Sequence, residues 1–472
     1  MIEETFSGFS PELDFNSSIF VPALLARKDA AELAPSSLPR LDLYSSDLSA
    51  PHKNIELPVE VWSNIFSFVG HIPGVLELYD YTSIAACTRD VHGICLNDAF
   101  KSTMKDKLAC SLVCKFWNKM VAPFLFQHLR ITSGDHACAI AYAFDRSSLD
   151  PAAGKGTGKW TLRIDLALEG VHNWTDREQE AVLKIIKCCP NLISFSDIHC
   201  NGDIASQFDS NAFIRYLGQH SKVRRLEVRL SRGTVQCIEE SLADTLEILW
   251  VDSMAAMSST GDTVRLPKLR AWFGIGCGGY SRIFELPNLR ACAFDNKTPR
   301  TGFPFSKDTI EYLEVEDGIL SEMSSFTSLS VLTTNVVDLL ALFDGDQSAK
   351  QFANQSAERI LIRDCDSSLQ QRIFRRSRDY KSIDSRFRDL EHILVHLTSP
   401  SYFPHLRSIG IFMAVSPETR PSLDPISMSE RWVNNFRERG IRLQISEGAK
   451  EWVGNVWTDV DYDGYGAEAV DD

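Results

Sequence analysis

Apolar residues recur every three or four positions in two stretches near the start of the chain. In IELPVEVWSNIFSFVG, which begins at Ile55, this spacing predicts a helix with one broad apolar face. Pro58 suits the first helical position and Gly70 suits the end. In KLACSLVCKFWNKMVAP, which begins at Lys107, the same spacing predicts a second helix that Pro123 breaks. We expect these wide apolar faces to be covered by each other and a third helix, or by a partner chain.

A different pattern follows residue 131, where apolar residues take the first, fourth and sixth places of a recurring phrase. Six consecutive copies begin at Val223, Leu246, Leu269, Leu289, Ile310 and Leu329. Their starts lie 19 to 23 residues apart, in or near the spacing of leucine-rich repeats. Further copies begin at Thr161, Leu192, Ala357 and Leu406. Because one repeat cannot bury its own apolar side, we expect neighbouring copies to stack as parallel strands with a shared core.

Side chains alternate along a strand, so the first, fourth and sixth residues of each phrase should face the core and the fifth and seventh the opposite side. That assignment places the following residues on one surface: Glu227, Arg229, Trp250, Asp252, Phe273, Ile275, Asp295, Glu314, Glu316 and Arg363. Aromatic residues with an acidic rim are typical of a protein-binding surface. We expect this surface to bind a target of basic or mixed charge. Alternatively, its acids merely reflect the overall charge of the chain.

The patterns divide the chain into four regions. Residues 1–54 are a leader rich in Ser and Pro, in which we expect little order. The predicted helices occupy 55–131, the repeats occupy 132–415, and a C-terminal extension with an acidic tail occupies 416–472. The predicted fold class is α/β: a small helical unit followed by a curved solenoid with a parallel sheet on its concave face.

Composition narrows the possible partners and compartments. The 472 residues are 44% hydrophobic and carry a formal net charge of -14, which fits a folded protein and disfavours nucleic acid as a partner. The first residues lack a basic and apolar export signal, and no run of about 18 apolar residues occurs. The twelve scattered cysteines therefore indicate reduced thiols. We expect a cytoplasmic or nuclear protein with no membrane contact.

Sequence motifs for chemistry are missing. The segment AAGKGTGKW departs from a phosphate-binding loop at Ala153 and Trp160, and we expect a flexible loop there. His92 and Cys95 offer only two metal ligands, and no paired zinc motif or G-x-S-x-G elbow is present. The prediction is a protein that is not an enzyme and holds no metal or cofactor.

The helical stretches resemble the F-box family. The first half of its pattern is matched by Leu57, Pro58, Glu60, Ile65, Phe66 and Val69. The second half is matched by Leu108, Leu112, Val113, Cys114 and Trp117, followed by the close of the motif at Phe124, Leu125, Phe126, Leu129 and Ile131. The halves are separated here by an insertion at about 71–106, where most F-boxes have a few residues. A long loop is tolerable because closure entropy grows slowly with length.

The resemblance implies an adaptor of a Skp/cullin/F-box ubiquitin ligase. The residues it assigns to a Skp-type adaptor, and through it to a cullin, are Leu57, Pro58, Ile65, Phe66, Leu108, Leu112, Val113 and Trp117. The repeats behind it would then hold a target protein for ubiquitin transfer. Three alternatives stay open: a plain helical hairpin that caps a repeat scaffold without a ligase, an ordinary α/β or all-β domain in place of the repeats, and an enzyme whose catalytic residues come together only in the fold.

Overall fold

The computed structural model of the chain describes residues 57–88, 94–148, 156–167, 175–198, 210–229, 234–252, 263–274, 284–294, 305–315, 323–343, 353–363, 383–413, 432 and 434–447. It is a mixed α/β structure built around one large parallel sheet, as the fold class predicted at this coarse level. The predicted leader at 1–54 and the acidic tail that begins at Trp457 lie outside the described residues.

Among the described residues, four helices precede the sheet: α1 (Val59–Val69), α2 (Tyr81–Thr88), α3 (Ile94–Val113) and α4 (Lys115–Phe126). Helix α1 begins after Pro58 and ends at Gly70, as its spacing predicts. Gly70 has φ of -105°, which lies outside the left-handed region. A methyl group there would meet the side chain of Lys107, which means that the glycine leaves room for this lysine.

The second predicted helix is two helices, and its break is at Cys114 rather than at Pro123. Cys114 is extended, with φ of -161° and ψ of 169°, and its Sγ accepts a hydrogen bond from the Trp117 backbone N–H at 3.5 Å. Pro123 lies inside α4. A proline there removes one helical hydrogen bond. Burial of Val121 and Leu125 on either side keeps the helix intact despite that loss.

Fourteen strands follow among the described residues. They are β1 (His128–Ile131), β2 (Arg163–Leu166), β3 (Ser194–Ser196), β4 (Arg225–Arg229), β5 (Ile248–Asp252), β6 (Val264–Arg265), β7 (Ala271–Gly274), β8 (Phe284–Glu285), β9 (Ala291–Phe294), β10 (Tyr312–Val315), β11 (Val331–Asn335), β12 (Arg359–Arg363), β13 (Ser408–Met413) and β14 (Arg442–Glu447). Twelve of them form one sheet in chain order, and the two-residue strands β6 and β8 pair separately. All neighbours in both sheets are parallel.

A single row of buried residues crosses the whole sheet. In register, it runs through Leu129, Ile164, Phe195, Leu226, Leu249, Trp272, Cys292, Leu313, Leu332, Ile360, Ile409 and Leu443. All of them belong to the main apolar core. The row includes the fourth residue of every predicted phrase from Leu192 to Leu406, so the predicted inward orientation is confirmed there. We call this side of the sheet the core face.

Helices cover the core face near both ends of the sheet. The first four strands are followed by α5 (Gly134–Ser148), α6 (Asp176–Cys188), α7 (Ser210–His220) and α8 (Thr234–Leu242), and later strands by α9 (Val336–Phe343) and α10 (Ile383–Leu397). Helix α6 begins with a capping box, in which Thr175 and Glu178 exchange hydrogen bonds. The sheet extends past the predicted limits of the repeat region, to β1 at one end and β14 at the other.

Part of the segment expected to be a flexible loop is tightly packed. Residues 151–155 lie outside the described residues, but Thr157–Trp160 form a 3-10 helix in which Gly158 is buried. A methyl group at Gly158 would lie 2.3 Å from the carbonyl oxygen of Cys188. The glycine is needed there because two backbone segments approach closely.

We expect Gly158→Ala to lower the free energy of unfolding by about 1–3 kcal/mol, because the backbone must move to admit the methyl group. Urea denaturation measures the loss. Gly70→Ala is the matched control, since its methyl group meets only the movable end of Lys107. An equal loss in both variants would contradict the close-packing explanation.

Candidate functional site

Most of the exposed large hydrophobic residues that the structure describes lie on the helices before the sheet. Of the eleven exposed large hydrophobic residues, eight are here: Leu57, Val59, Val61, Ile65, Phe68, Leu112, Val113 and Phe116. Phe68 is 79% exposed and Leu112 is 67% exposed. We call these eight residues the apolar surface. Soluble proteins rarely leave such a concentration of apolar side chains uncovered, and it commonly marks a protein-binding site.

An aromatic cluster holds α1, α3 and α4 together beneath this surface. The ring centroids of Trp62 and Trp117 are 5.0 Å apart, and those of Phe66 and Trp117 are 5.1 Å apart. Phe66 is buried, while Leu108 of α3 packs partly buried against the same cluster. Helices α1, α3 and α4 therefore have their own small core, and we call them the helical unit.

The structure divides the predicted adaptor-binding residues into two groups. Leu57, Pro58, Ile65, Leu112 and Val113 are exposed and available to a partner. Phe66, Leu108 and Trp117 contribute instead to the small core that positions the exposed group.

The side of the sheet opposite the core face, which we call the second face, is polar on the first strands and mostly apolar on the strands that follow. On β1 to β4 it carries the polar residues His128, Arg130, Arg163, Asp165, Ser194, Ser196, Arg225 and Glu227. On β5 to β10 it carries Ile248, Trp250, Ala271, Phe273, Ala291, Ala293, Tyr312 and Glu314. All sixteen are buried. A protein segment must therefore cover both halves.

Residues 72–88, which we call the strap, pack on the second face. The strap belongs to the insertion between the two halves of the helical pattern. Its Leu78, Ile84 and Ala85 are buried in one apolar cluster with Trp250, Phe273 and Tyr312. Small residues of the neighbouring strands, including Ala271 and Ala291, complete that cluster.

The predicted open target-binding face is wrong in one respect: its described side chains are not exposed. Glu227, Trp250, Phe273 and Glu314 are each at most 2% exposed. The residues point away from the core face as predicted, but the strap lies over the aromatic ones. The remaining predicted positions are Arg229, Asp252 and Arg363 at strand ends, whose side chains are not described, and Ile275, Asp295 and Glu316, which lie outside the described residues.

Glu227 is the centre of a buried charge network in the polar half. Its carboxylate accepts hydrogen bonds from Arg163 Nη1 at 3.0 Å and Nη2 at 2.7 Å, and it also pairs with Arg225. Burial by itself would raise the pKa of Glu227, but the two guanidinium groups lower it to about 2. Glu227 is therefore ionised at neutral pH and compensates part of the buried positive charge.

Asp165 extends the network to the first strand. It accepts a hydrogen bond from Arg163 Nε at 2.7 Å and contacts His128 Nε2 at 2.6 Å. Burial lowers the pKa of His128 below its usual range although Asp165 opposes the effect. His128 also meets the ring of Phe100 from α3 at a centroid distance of 4.9 Å, so the helical unit contacts this end of the sheet.

Both arginines of the network hold the strap by its backbone. Arg163 Nη1 donates a hydrogen bond to the Val75 carbonyl oxygen at 3.1 Å. Arg225 Nη1 donates to the carbonyl oxygens of Gly74 and Glu77, the latter at 3.2 Å. Hydrogen bonds from a charged donor are stronger than neutral ones, so these bonds fix the first part of the strap on the polar half.

Tyr79 marks the outer edge of the strap. Its hydroxyl is hydrogen-bonded to Arg224 Nη2 at 2.5 Å, and its ring lies 5.7 Å from the Arg224 guanidinium and 5.5 Å from that of Arg270. Arg224 is also paired with Glu247 at 2.8 Å. Tyr79 is nevertheless 58% exposed, so this contact is at the rim of the second face.

The charge network was missed in the sequence, although a signal for it is present. In both Arg163-x-Asp165 and Arg225-x-Glu227, opposite charges are two residues apart in a strand, which places them on the same side of the sheet. Two such pairs in predicted strands of one sheet indicate a compensated charge cluster on that side.

No protein-family model matches the sequence, and no curated protein matches it either. Within the described ranges, no helix has both the length and the apolar character needed to cross a membrane. Nor, in those same ranges, do three or more His, Cys, Asp or Glu residues group so that they could hold a metal ion.

Proposed function

We propose that this chain is a substrate-recruiting adaptor of a Skp/cullin/F-box ubiquitin ligase. The helical unit is the F-box, which docks on a Skp-type adaptor and through it on a cullin. The strands behind it are a leucine-rich-repeat-like solenoid that holds the target protein. In this role no residue of the chain performs chemistry, and the expected compartment is the cytoplasm or the nucleus.

The observation that carries the proposal is the apolar surface on the helical unit. Leu57, Ile65, Leu112 and Val113 match the F-box pattern in the sequence and are exposed in the structure. Core packing does not require them, because the cluster around Phe66 and Trp117 is formed without them. A residue that is apolar, exposed and part of a protein-binding pattern is best explained by a partner that covers it.

The sheet supports the second half of the proposal. Twelve parallel strands follow one another in chain order, and each contributes one residue to the continuous row on the core face. Repeats that stack in this way share a core, and arrays of this kind commonly use one extended side for binding. The irregular spacing of the phrases fits an irregular repeat array.

We expect the double substitution Leu112→Asp and Val113→Asp to weaken capture of a Skp-type adaptor by about a hundredfold, because it places two carboxylates in an apolar interface. The measurement is the dissociation constant between the purified full chain and the purified adaptor. Both positions are more than 60% exposed, so folding of the free protein should be preserved.

Tyr142→Asp is the matched control, since Tyr142 is also 67% exposed but lies on α5, outside the apolar surface. Its affinity for the adaptor should equal that of the unaltered chain. If the unaltered chain does not bind the adaptor, or if the double variant binds it normally, the proposal fails. The alternative, a repeat scaffold that the helical unit only caps, would then account for the structure.

A further inference from the structure

We propose that the strap is an internal ligand: it occupies a peptide-binding site on the second face, which takes a target segment of the same chemistry when the strap leaves. The idea that this segment belongs to a ubiquitylation target rests on the proposed function. The peptide site itself depends only on the sheet and the strap.

The polar half of the site is formed without the strap. Glu227 and Asp165, both on strands, hold the Arg163 guanidinium, and Glu227 also holds that of Arg225. Ser194 accepts a further hydrogen bond from Arg163 at 3.0 Å. When the strap is absent, these side chains therefore stay in place with donors directed outward. A site organised in advance binds more tightly because little ordering remains to be done.

The groups that the arginines bind are present in any peptide. Gly74, Val75 and Glu77 offer only their backbone carbonyl oxygens. The polar half therefore recognises an extended or turned backbone rather than a particular side chain. Sequence selectivity must come from the apolar half and the rim.

The apolar half selects a short helix with small apolar residues. Ile84 and Ala85 of α2 lie on a floor that includes Ala271, Ala291 and Ala293, which leaves space between the aromatic residues. A larger residue in place of Ala85 would not fit as closely, since this alanine is only 1% exposed.

The rim favours an aromatic residue. Tyr79 lies against the guanidinium groups of Arg224 and Arg270, a contact that favours aromatic rings. The strap contains Glu77 and Asp80 but no Lys or Arg. Asp80 also starts α2 by accepting the Ser83 backbone N–H at 3.2 Å. The partner is therefore a segment that, like the strap, has an aromatic residue just before a short apolar helix.

The strap is suited to leave. Helix α2 has eight residues, which is too short to be stable without the sheet. On the chain the strap lies between α1 and α3, so releasing it does not remove a strand from the sheet. An internal segment of this kind competes with an external one through its high effective concentration.

The test uses the full chain with residues 73–88 replaced by a Gly/Ser linker of the same length, and a synthetic peptide of residues 72–88 as the probe. We expect saturable one-to-one binding of the peptide by this variant. The unaltered chain should bind at least about tenfold more weakly, because its site is occupied most of the time. A peptide with Ile84→Asp and Ala85→Asp is the control and should bind neither protein.

A second variant keeps the chain length natural: the full chain with Ile84→Asp and Ala85→Asp, which loosens the strap and leaves the sheet unchanged. It should also bind the unaltered peptide. The inference is overturned if either variant unfolds cooperatively and binds no peptide. It is also overturned if both lose cooperative unfolding, since the strap is then an obligatory part of the core, or if the unaltered chain binds as tightly as they do.

Measuring the affinity of the same proteins for a Skp-type adaptor separates the two proposals. Peptide binding without adaptor binding would refute the ligase function and leave the internal ligand standing. Adaptor binding by all three proteins without peptide binding would do the reverse, since the apolar surface and the second face involve different residues.

Discussion

Replacing Glu227 by Gln is expected to lower the free energy of unfolding by about 3–5 kcal/mol, the usual loss when one partner of a buried ion pair is removed. Glu227 is fully buried, and it compensates Arg163 and Arg225, which are equally buried. Gln keeps the size of the side chain but leaves two guanidinium groups without their shared carboxylate. Urea denaturation at pH 7 measures the change.

Glu311→Gln is the matched control. Glu311 also pairs with an arginine, Arg290, at 2.7 Å, but both side chains are about half exposed: 41% and 55%. Exposed pairs contribute little, so the expected loss is less than about 1 kcal/mol. If the two variants lose the same stability, the central role assigned to Glu227 is wrong.

The effect of Glu227→Gln should depend on pH. The pKa of Glu227 is about 2 in the folded protein against an ordinary value of 4.5, so the carboxylate favours the folded state wherever it is ionised in both states. This stabilisation is complete above pH 4.5 and is lost as the pH falls towards 2. The difference in stability between the unaltered chain and the variant should therefore shrink over that range. A constant difference would contradict the assignment.

Replacing Trp117 by Ala is expected to destabilise the helical unit by about 2–3 kcal/mol, somewhat below the usual cost for a fully buried tryptophan. Its ring contacts Trp62 and Phe66, so its loss opens the aromatic cluster that joins α1 to α4. Amide hydrogen exchange in these helices should rise roughly 30- to 150-fold, while exchange in the sheet stays unchanged.

Phe116→Ala provides the comparison at the neighbouring position. Phe116 is 44% exposed and belongs to the apolar surface, so hydrogen exchange should change little. Both substitutions should weaken adaptor binding, but only Trp117→Ala should do so by loosening the helices. If Trp117→Ala also increases exchange throughout the sheet, the helical unit is not held together by its own core.

Local periodicity was sufficient to predict much of the architecture. Helix α1 has one wide apolar face and a proline and a glycine at its ends, and its bounds follow from these features. Apolar residues recur at the first, fourth and sixth places of the strand phrases, so the residues of the core face, such as Leu226 and Leu313, could be assigned without the structure. The break at Cys114 could not, because it depends on a local conformation that apolar spacing does not encode.

The covering of the second face could not be predicted because it depends on contacts between distant parts of the chain. Trp250 and Glu227 are at strand positions whose side chains would face solvent if the sheet were uncovered. They are buried because the strap covers this side of the sheet. The strap itself has no strong periodicity. Its attachment joins Val75 to Arg163, with the carbonyl oxygen as the acceptor, and such a contact leaves no mark in the side-chain pattern.

The order of the strands has a consequence for how the protein is made. Because each strand of the large sheet pairs with its neighbour in the chain, every strand can pair soon after it leaves the ribosome, without waiting for distant sequence. The strap is different: it is synthesised before all the strands it covers, and Tyr312 of its binding cluster comes more than 220 residues later. Until Tyr312 has been synthesised, the nascent chain carries an acidic, partly apolar segment whose binding site is incomplete. This exposed segment would be available to a chaperone.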